Sequence, residues 1–161
     1  MSVFLNFWNS SFISFEKDKW LLMLDGIQDP GNMGSIIRIA DWFGIAAIYC
    51  APGTADIYNP KVVQAAMGSL LRIQVYYGPC ENWLQDCDLP VYATLLEGAD
   101  VFSATPLPPG IVIIGNEGKG IRPEMLSHVS QTLTIPKIGH AESLNAAVAT
   151  GIVIAQLVNG A

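Results

Sequence analysis

Short apolar runs, each followed by a polar stretch bearing glycine or proline, recur along the chain from Trp20 onwards. Runs that are apolar on consecutive rather than alternate residues belong to strands buried on both faces. Trp20–Asp25, Ile45–Tyr49, Arg72–Tyr77, Val91–Leu95, Ile111–Ile114 and Thr132–Ile135 read this way. The segments between them carry helical spacing. Met33, Ile36, Ile37, Ala40 and Phe43 form one stripe, with Asn32 as its candidate N-cap and Gly44 as the glycine that ends it. Pro60 to Ala66 is a helix opened by proline and interrupted at Met67-Gly-Ser69. Glu81 to Asp86 and Arg122 to Val129 read as short helices, and Glu97 to Pro109 as a proline-rich connection. The last helix places Leu144, Val148, Ile152, Ala155 and Val158 on an apolar stripe, and its other faces are mostly Ala, Val, Ile and Gly. A helix so apolar all round is buried or covered by a partner.

Strands alternating with helices give an α/β fold: a mostly parallel sheet with helices on both faces. Residues 20–161 form one domain. Residues 1–19 show no clean period and stand apart as an N-terminal extension or linker remnant.

Composition changes this picture in three ways. Only 14% of residues are charged and 51% are hydrophobic, against about a quarter charged in an average soluble chain. Apolar surface shared between subunits accounts for that, so a homo-oligomer is expected. No apolar run approaches the roughly 18 residues needed to span a bilayer, and no basic segment precedes the N-terminal aromatics as in a signal peptide. Cys50, Cys80 and Cys87 are odd in number and match no metal motif, which points to a reduced, cytoplasmic protein. His128 and His140 are too few for a histidine-based zinc site, so no metal is expected. Finally, the net charge of −6 opposes phosphate binding. A nucleic-acid role requires a local basic patch, a dimer groove or a further domain.

Ligands of open parallel sheets bind beyond the carboxyl ends of the strands. Three loops there are rich in glycine and polar residues: 25–34, 115–120 and 136–143. Gly118-Lys119 is followed by Gly120 rather than Ser or Thr, so the phosphate-binding P-loop pattern is incomplete. Gly31-Asn-Met-Gly34 lacks the spacing of the dinucleotide fingerprint.

Taken together, the three loops carry a resemblance. The run Asn32-Met-Gly-Ser-Ile-Ile-Arg38 matches Asn-x-Gly-x-x-x-Arg. Gly115, Glu117 and Gly120 match an apolar strand entering Gly-x-Glu-x-x-Gly. Ile135, Pro136, Gly139, Ser143, Leu144 and Asn145 match the Ile-Pro…Gly…Ser-Leu-Asn segment. In order and spacing the chain resembles the SpoU (TrmH-type) branch of the SPOUT RNA methyltransferases, from Trp20 to its C-terminus.

The resemblance implies a C-terminal trefoil knot and a homodimer with the last helix in its seam. It implies S-adenosylmethionine as methyl donor, held by Thr94, Leu95, Gly115, Ile135, Ser143 and Leu144, largely through backbone groups. It implies methylation of a ribose 2′-hydroxyl in tRNA or rRNA. Arg38 is then the catalytic arginine. Because a guanidinium keeps its proton to about pH 12, its expected role is to orient a phosphate and stabilise the developing alkoxide. Asn32, Glu117, Ser143 and Asn145 complete the implied catalytic set.

Each residue has an ordinary alternative. Asn32 caps its helix; Arg38 is solvated; Glu117 pairs with Lys119 or Arg122; Ser143 caps the last helix, with Asn145 a solvated first-turn residue. Trp42 and Trp83 read as packing residues and His140 as a solvated loop residue. Lys137 stands where the family usually has Met, and Ala146-Ala147 where Val and Ser are common. The alternative function is an isolated catalytic half, or a non-catalytic RNA- or donor-binding module, that needs a separate RNA-binding domain or partner.

Overall fold

The computed structural model describes residues 18–160 apart from 86 and 105. Most of the proposed N-terminal extension, and Asp86 at the end of one expected helix, lie outside the described residues.

The two most apolar runs lie side by side at the middle of the sheet. Strand β1 (Leu21–Asp25) is buried at all positions, and β5 (Ile111–Gly115) pairs with it in parallel from Leu21↔Ile111 to Asp25↔Gly115. On the other side of β1 come β2 (Ala47–Cys50) and then β3 (Gln74–Tyr77). Beyond β5 come β4 (Val91–Asp100) and β6 (Gln131–Thr134) at the opposite edge. Every pairing is parallel and the order is β3-β2-β1-β5-β4-β6.

Alternate residues of the central strands feed two cores, as the strand period of two requires. Leu22, Leu24, Val112 and Ile114 face helices α1 (Pro30–Trp42), α2 (Pro60–Ala66) and α6 (Ala146–Asn159). Leu21, Met23, Ile111 and Ile113 face the other layer, made by α3 (Cys80–Gln85) and α5 (Pro123–Leu126). Gly34 lets α1 and α2 meet closely, since a Cβ there would lie 2.5 Å from the Ala65 Cβ and 2.6 Å from the Val62 carbonyl oxygen.

The expected elements are present, with shifted bounds. Helix α5 ends at Leu126 rather than Val129, and β6 ends before Ile135. The connection 97–109 is more ordered than its prolines suggest. Strand β4 resumes after a register shift in which Thr94 and Ala99 both pair with Leu133. A short helix, α4 (Val101–Ala104), follows. Residues 95–98 therefore bulge out of the sheet at the end where its carboxyl-terminal loops gather.

Two expectations about helices fail. Asn32 is not the N-cap of α1. That role falls to Asp29, whose carboxylate accepts from the Asn32 backbone N–H at 2.7 Å, with Pro30 opening the helix. The predicted stripe of α6 is not its core face. Ala146, Ala147, Thr150, Val153, Ile154 and Leu157 are buried instead, while Leu144 and Val148 are about half exposed. On a helix apolar all round, periodicity does not choose a face; contact with α1 does. Ile39 lies against Gly151, so α6 leaves the edge strand β6 and returns to lie beside α1.

Candidate active site

The three polar loops gather at the carboxyl edge of the sheet, where Asn32, Glu117 and Asn145, the cap residue just after the third loop, are hydrogen-bonded to one another. Because Asp29 caps α1, the side chain of Asn32 is free to bridge. Its Nδ2 donates to Glu117 Oε1 at 3.0 Å, and its Oδ1 accepts from Asn145 Nδ2 at 2.8 Å. Asn145 Oδ1 in turn caps α6, accepting from the backbone N–H groups of Ala147 at 3.0 Å and Val148 at 3.2 Å. These bonds have one consistent direction. Capping uses the Asn145 oxygen, so its amide nitrogen must donate to Asn32, and the Asn32 amide nitrogen is left to donate to a carboxylate. Glu117 Oε2 also takes the Gln28 backbone N–H at 3.4 Å.

This settles several of the ordinary alternatives. Glu117 pairs with neither Lys119 nor Arg122. Asn145, not Ser143, caps the last helix, and Ser143 is exposed. Trp42 is 83% exposed and is not a packing residue. Trp83 does pack, its ring centroid 3.7 Å from that of Tyr49. His140 is exposed, as expected of a loop residue.

The second loop is held rigidly. Asn116 and Gly120 exchange backbone hydrogen bonds of 3.0 and 2.9 Å. Asn116 Oδ1 accepts from the Gly118 and Lys119 N–H groups, and its Nδ2 donates to the Gly26 carbonyl at 2.6 Å. Gly115 has no room for a side chain: a Cβ would lie 2.6 Å from the Gly120 carbonyl carbon and 2.7 Å from the Ile121 nitrogen.

Below this loop is a contact that sequence reasoning missed. The Asp25 carboxylate, 3% exposed, accepts from the Arg122 backbone N–H and from its Nε, both at 2.7 Å. Arg122 Nη2 reaches Glu81 at 3.5 Å. Hydrogen bonding to Asp25 raises the pKa of the Arg122 guanidinium, fixing its charge. The available signal was an aspartate ending an otherwise apolar buried strand, since a buried carboxylate needs a partner.

The residues implied to hold the methyl donor ring the same edge. Thr94 ties β4 to β5 by donating its hydroxyl to the Ile113 carbonyl at 3.0 Å. Leu95 begins the bulge, Ile135 directly follows β6, and both are half-buried. Leu144 sits beside the capping Asn145. Among the described residues, the backbone of 136–144 makes no hydrogen bond. A backbone with no partner among the described residues, running on from Ile135 to Leu144, suits a nucleoside, whose edges bond to backbone and whose faces pack on apolar side chains. An open cavity of about 530 Å³ lies next door, lined by Leu95, Ala99, Leu126, Val129, Ser130, Gln131 and Thr132. It shares only Leu95 with this set and is not the space that the motifs frame. Among the described residues, no group of three or more His, Cys, Asp or Glu is arranged to hold a metal.

Arg38 stands apart. It lies six residues beyond Asn32 on α1, about 9 Å along the axis at 1.5 Å per residue. It is exposed and, among the described residues, makes no side-chain hydrogen bond or ion pair.

An all-parallel sheet whose last helix returns from the edge strand, with three polar loops bonded together at one edge, defines a SPOUT-type α/β domain. The sequence profile of the SpoU rRNA Methylase family matches residues 19–155. The chain belongs to that family, and its fold is the knotted SPOUT fold. It is 36% identical over 141 residues to the Bacillus subtilis 23S rRNA (guanosine(2553)-2′-O)-methyltransferase RlmP, covering 85% of this chain and 57% of that protein. The SpoU methyltransferase AviRb from Streptomyces viridochromogenes, solved with the cofactor AdoMet, superposes with a TM-score of 0.84 at 30% identity over 94% of this chain and 61% of that one. An AdoMet-bound rRNA methyltransferase from Sinorhizobium meliloti gives 0.82 at 33% identity over 88% and 56%. The chain thus spans between half and two-thirds of these relatives' lengths. Among the described residues, no helix is long and apolar enough to cross a membrane.

Proposed function

We propose that this chain transfers a methyl group from S-adenosylmethionine to a ribose 2′-hydroxyl of rRNA or tRNA. The observation that carries the reading is the Asn145–Asn32–Glu117 hydrogen-bond relay, which joins all three family motifs at one edge. The named activities of the relatives supply the reaction class.

The donor supplies an electrophilic sulfonium methyl when bound. Thr94, Leu95, Gly115, Ile135, Ser143 and Leu144 hold it: the unbonded backbone of 136–144 meets its polar edges, and Leu95, Ile135 and Leu144 cover its faces. The rigid 115–120 loop sets the position of the floor, so little ordering remains when the donor arrives. Glu117 and Asn32 keep the mouth in shape and present polar groups to the nucleotide. Ser143 carries a free hydroxyl at the same rim. Arg38 binds the phosphate beside the target ribose and stabilises the alkoxide as the 2′-hydroxyl loses its proton to solvent.

Arg38 lies well down α1 from the relay of its own chain, so the reading includes a homodimer in which Arg38 of one copy serves the relay of the other. Leu144, which precedes α6, and Val148 in its first turn are about half exposed, with Ile152 and Ala155 only partly buried on the same helix, and together they supply an apolar seam. The three cysteines are free thiols, which suits a reducing cytoplasm.

Incubating the protein with labelled S-adenosylmethionine and total rRNA and tRNA, followed by nucleoside mass spectrometry, tests this reading. A 2′-O-methylated ribose is expected. Folded, donor-bound protein that labels no ribose sinks the proposal. A second reading, that this segment binds the donor and depends on a separate RNA-binding domain, draws on the share of the relatives' length that it spans. It predicts donor binding with no salt-dependent affinity for RNA.

A further inference from the structure

The chain carries a net charge of −6, yet its cations are not placed at random. Arg72 is paired with Asp41, and Arg122 with Asp25 and Glu81. Among the described residues, the side chains of Arg38, Lys61, Lys119 and Lys137 have no such partner. All four are exposed.

Topology brings the three lysines to one edge. Every strand runs in the same direction, so the loops after β2, β5 and β6 open on the same side. Lys61 is the second residue of α2, which follows β2. The 51–59 segment leading to it is bonded to the first motif loop, with the Ala55 N–H donating to the Ile27 carbonyl at 2.8 Å. Lys119 is in the loop after β5 and Lys137 in the loop after β6. Lys19 and Arg72 precede β1 and β3 and so lie at the opposite edge.

Several carboxylates at the lysine edge are turned to N–H donors. Asp29 accepts from the Asn32 backbone, Asp56 from the Tyr58 backbone, and Glu117 from Asn32 and Gln28. Among the described residues, the side chains of Glu97, Glu124 and Glu142 near these loops make no hydrogen bond or ion pair, so the edge is mixed rather than uniformly basic. What it offers is a set of cations free to exchange counterions for phosphate, which a paired cation cannot do without losing its partner.

We propose that Lys61, Lys119 and Lys137 form a phosphate track that seats the RNA backbone across the mouth of the active site. This rests on the RNA reading above and names the contacts by which an acidic chain holds its substrate. Each lysine is a positioning residue: it meets phosphate, not the reacting ribose. The track spans loops from both halves of the sheet, so it orients a single strand across the Asn145–Asn32–Glu117 relay.

The test is the salt dependence of binding to a short fluorescein-labelled oligouridylate, using the full chain with S-adenosylhomocysteine present. Each phosphate contact on a single strand contributes about 0.7 to the slope of log K against log salt. The four cations left unpaired among the described residues predict a wild-type slope of about −3. Each of Lys61→Gln, Lys119→Gln and Lys137→Gln should reduce its size by about 0.7, and the triple variant by about 2. Lys19→Gln, at the opposite edge, should leave the slope unchanged. Donor affinity, measured in parallel, should be unaltered in the Lys61→Gln and Lys19→Gln variants, which lie outside the donor-holding segments. A triple variant that keeps the wild-type slope overturns the track alone. So does a Lys19→Gln slope reduced as much as the others, since net charge rather than position would then govern binding. A wild-type chain with no salt-dependent binding overturns the track together with the RNA reading.

Discussion

Asn145 does two things with one side chain. Its oxygen caps α6, and its nitrogen holds Asn32, which holds Glu117. Substitutions separate the two roles. Asn145→Ala should cost about 1 kcal/mol of stability, the usual cost of losing a cap, and should also lower methyl transfer. Asn145→Ser restores capping but has no amide to donate to Asn32. Its urea midpoint should return close to wild type while transfer stays low. Recovery of both together would show that the cap alone matters. Arg38 is the opposite case, a side chain with no bond to lose among the described residues. Arg38→Ala should leave the melting temperature and donor affinity near wild type and reduce transfer by about 100-fold or more, the size of a lost electrostatic stabiliser. Calorimetric donor titration beside a transfer assay checks this, and a collapse of donor affinity would place Arg38 wrongly.

Helix α6 is packed on one side and bare on the other. Val153, Ile154 and Leu157 are buried against the sheet and α1, whereas Leu144 and Val148 stand half exposed. Small residues lie on its packed side: Ala146 and Ala147 are buried at its start, and Gly151 faces Ile39. The Ala146-Ala147 departure from the family pattern therefore falls on the packed face rather than on the exposed seam. If the bare stripe is the seam between two copies, Val148→Glu places a charge in it without touching the core. Sedimentation velocity should then show monomer where the wild type is a dimer, with far-UV circular dichroism unchanged. If Arg38 serves the other copy, as proposed, transfer should fall as dimerisation is lost. An active Val148→Glu monomer would exclude the shared site.

The molecule as a whole buries weak acids that the site does not use. Burial pushes the Cys80 thiol up to about 12 from its usual 9.0, and raises Cys50, Tyr49 and Tyr77 in the same way. Between about pH 9 and pH 12 the unfolded chain releases the Cys80 proton while the folded chain keeps it. The folded state then binds more protons, so stability falls as pH rises through that window. Urea midpoints taken from pH 7 upward should hold steady to about pH 9 and then decline. The same burial keeps Cys50 and Cys80 as unreactive thiols, so an alkylating reagent at neutral pH should label the half-buried Cys87 before either of them.

The strands and the fold class were readable in the sequence because strands covered on both faces demand unbroken apolar runs. The runs Trp20–Asp25 and Ile111–Ile114 read as buried strands, and they became β1 and β5 with ends shifted by one residue. The motif spacings were readable too, since each motif is local and belongs to one strand–loop–helix unit. What only the tertiary structure decided are choices between local options of nearly equal energy. Either Asp29 or Asn32 was able to cap α1; Asp29 does, and that frees Asn32 to bridge. Glu117 had Lys119 and Arg122 as nearby partners in sequence, yet Asp25, remote in sequence, claims Arg122 and leaves Glu117 to Asn32. Helix α6 offered apolar residues on every side, and α1 chose which were buried. Knotting is likewise invisible to periodicity, because it depends on where the chain passes rather than on which residues it buries. The three loops that opened as separate glycine-rich segments are one site because a parallel sheet delivers them to one edge and three side chains tie them there.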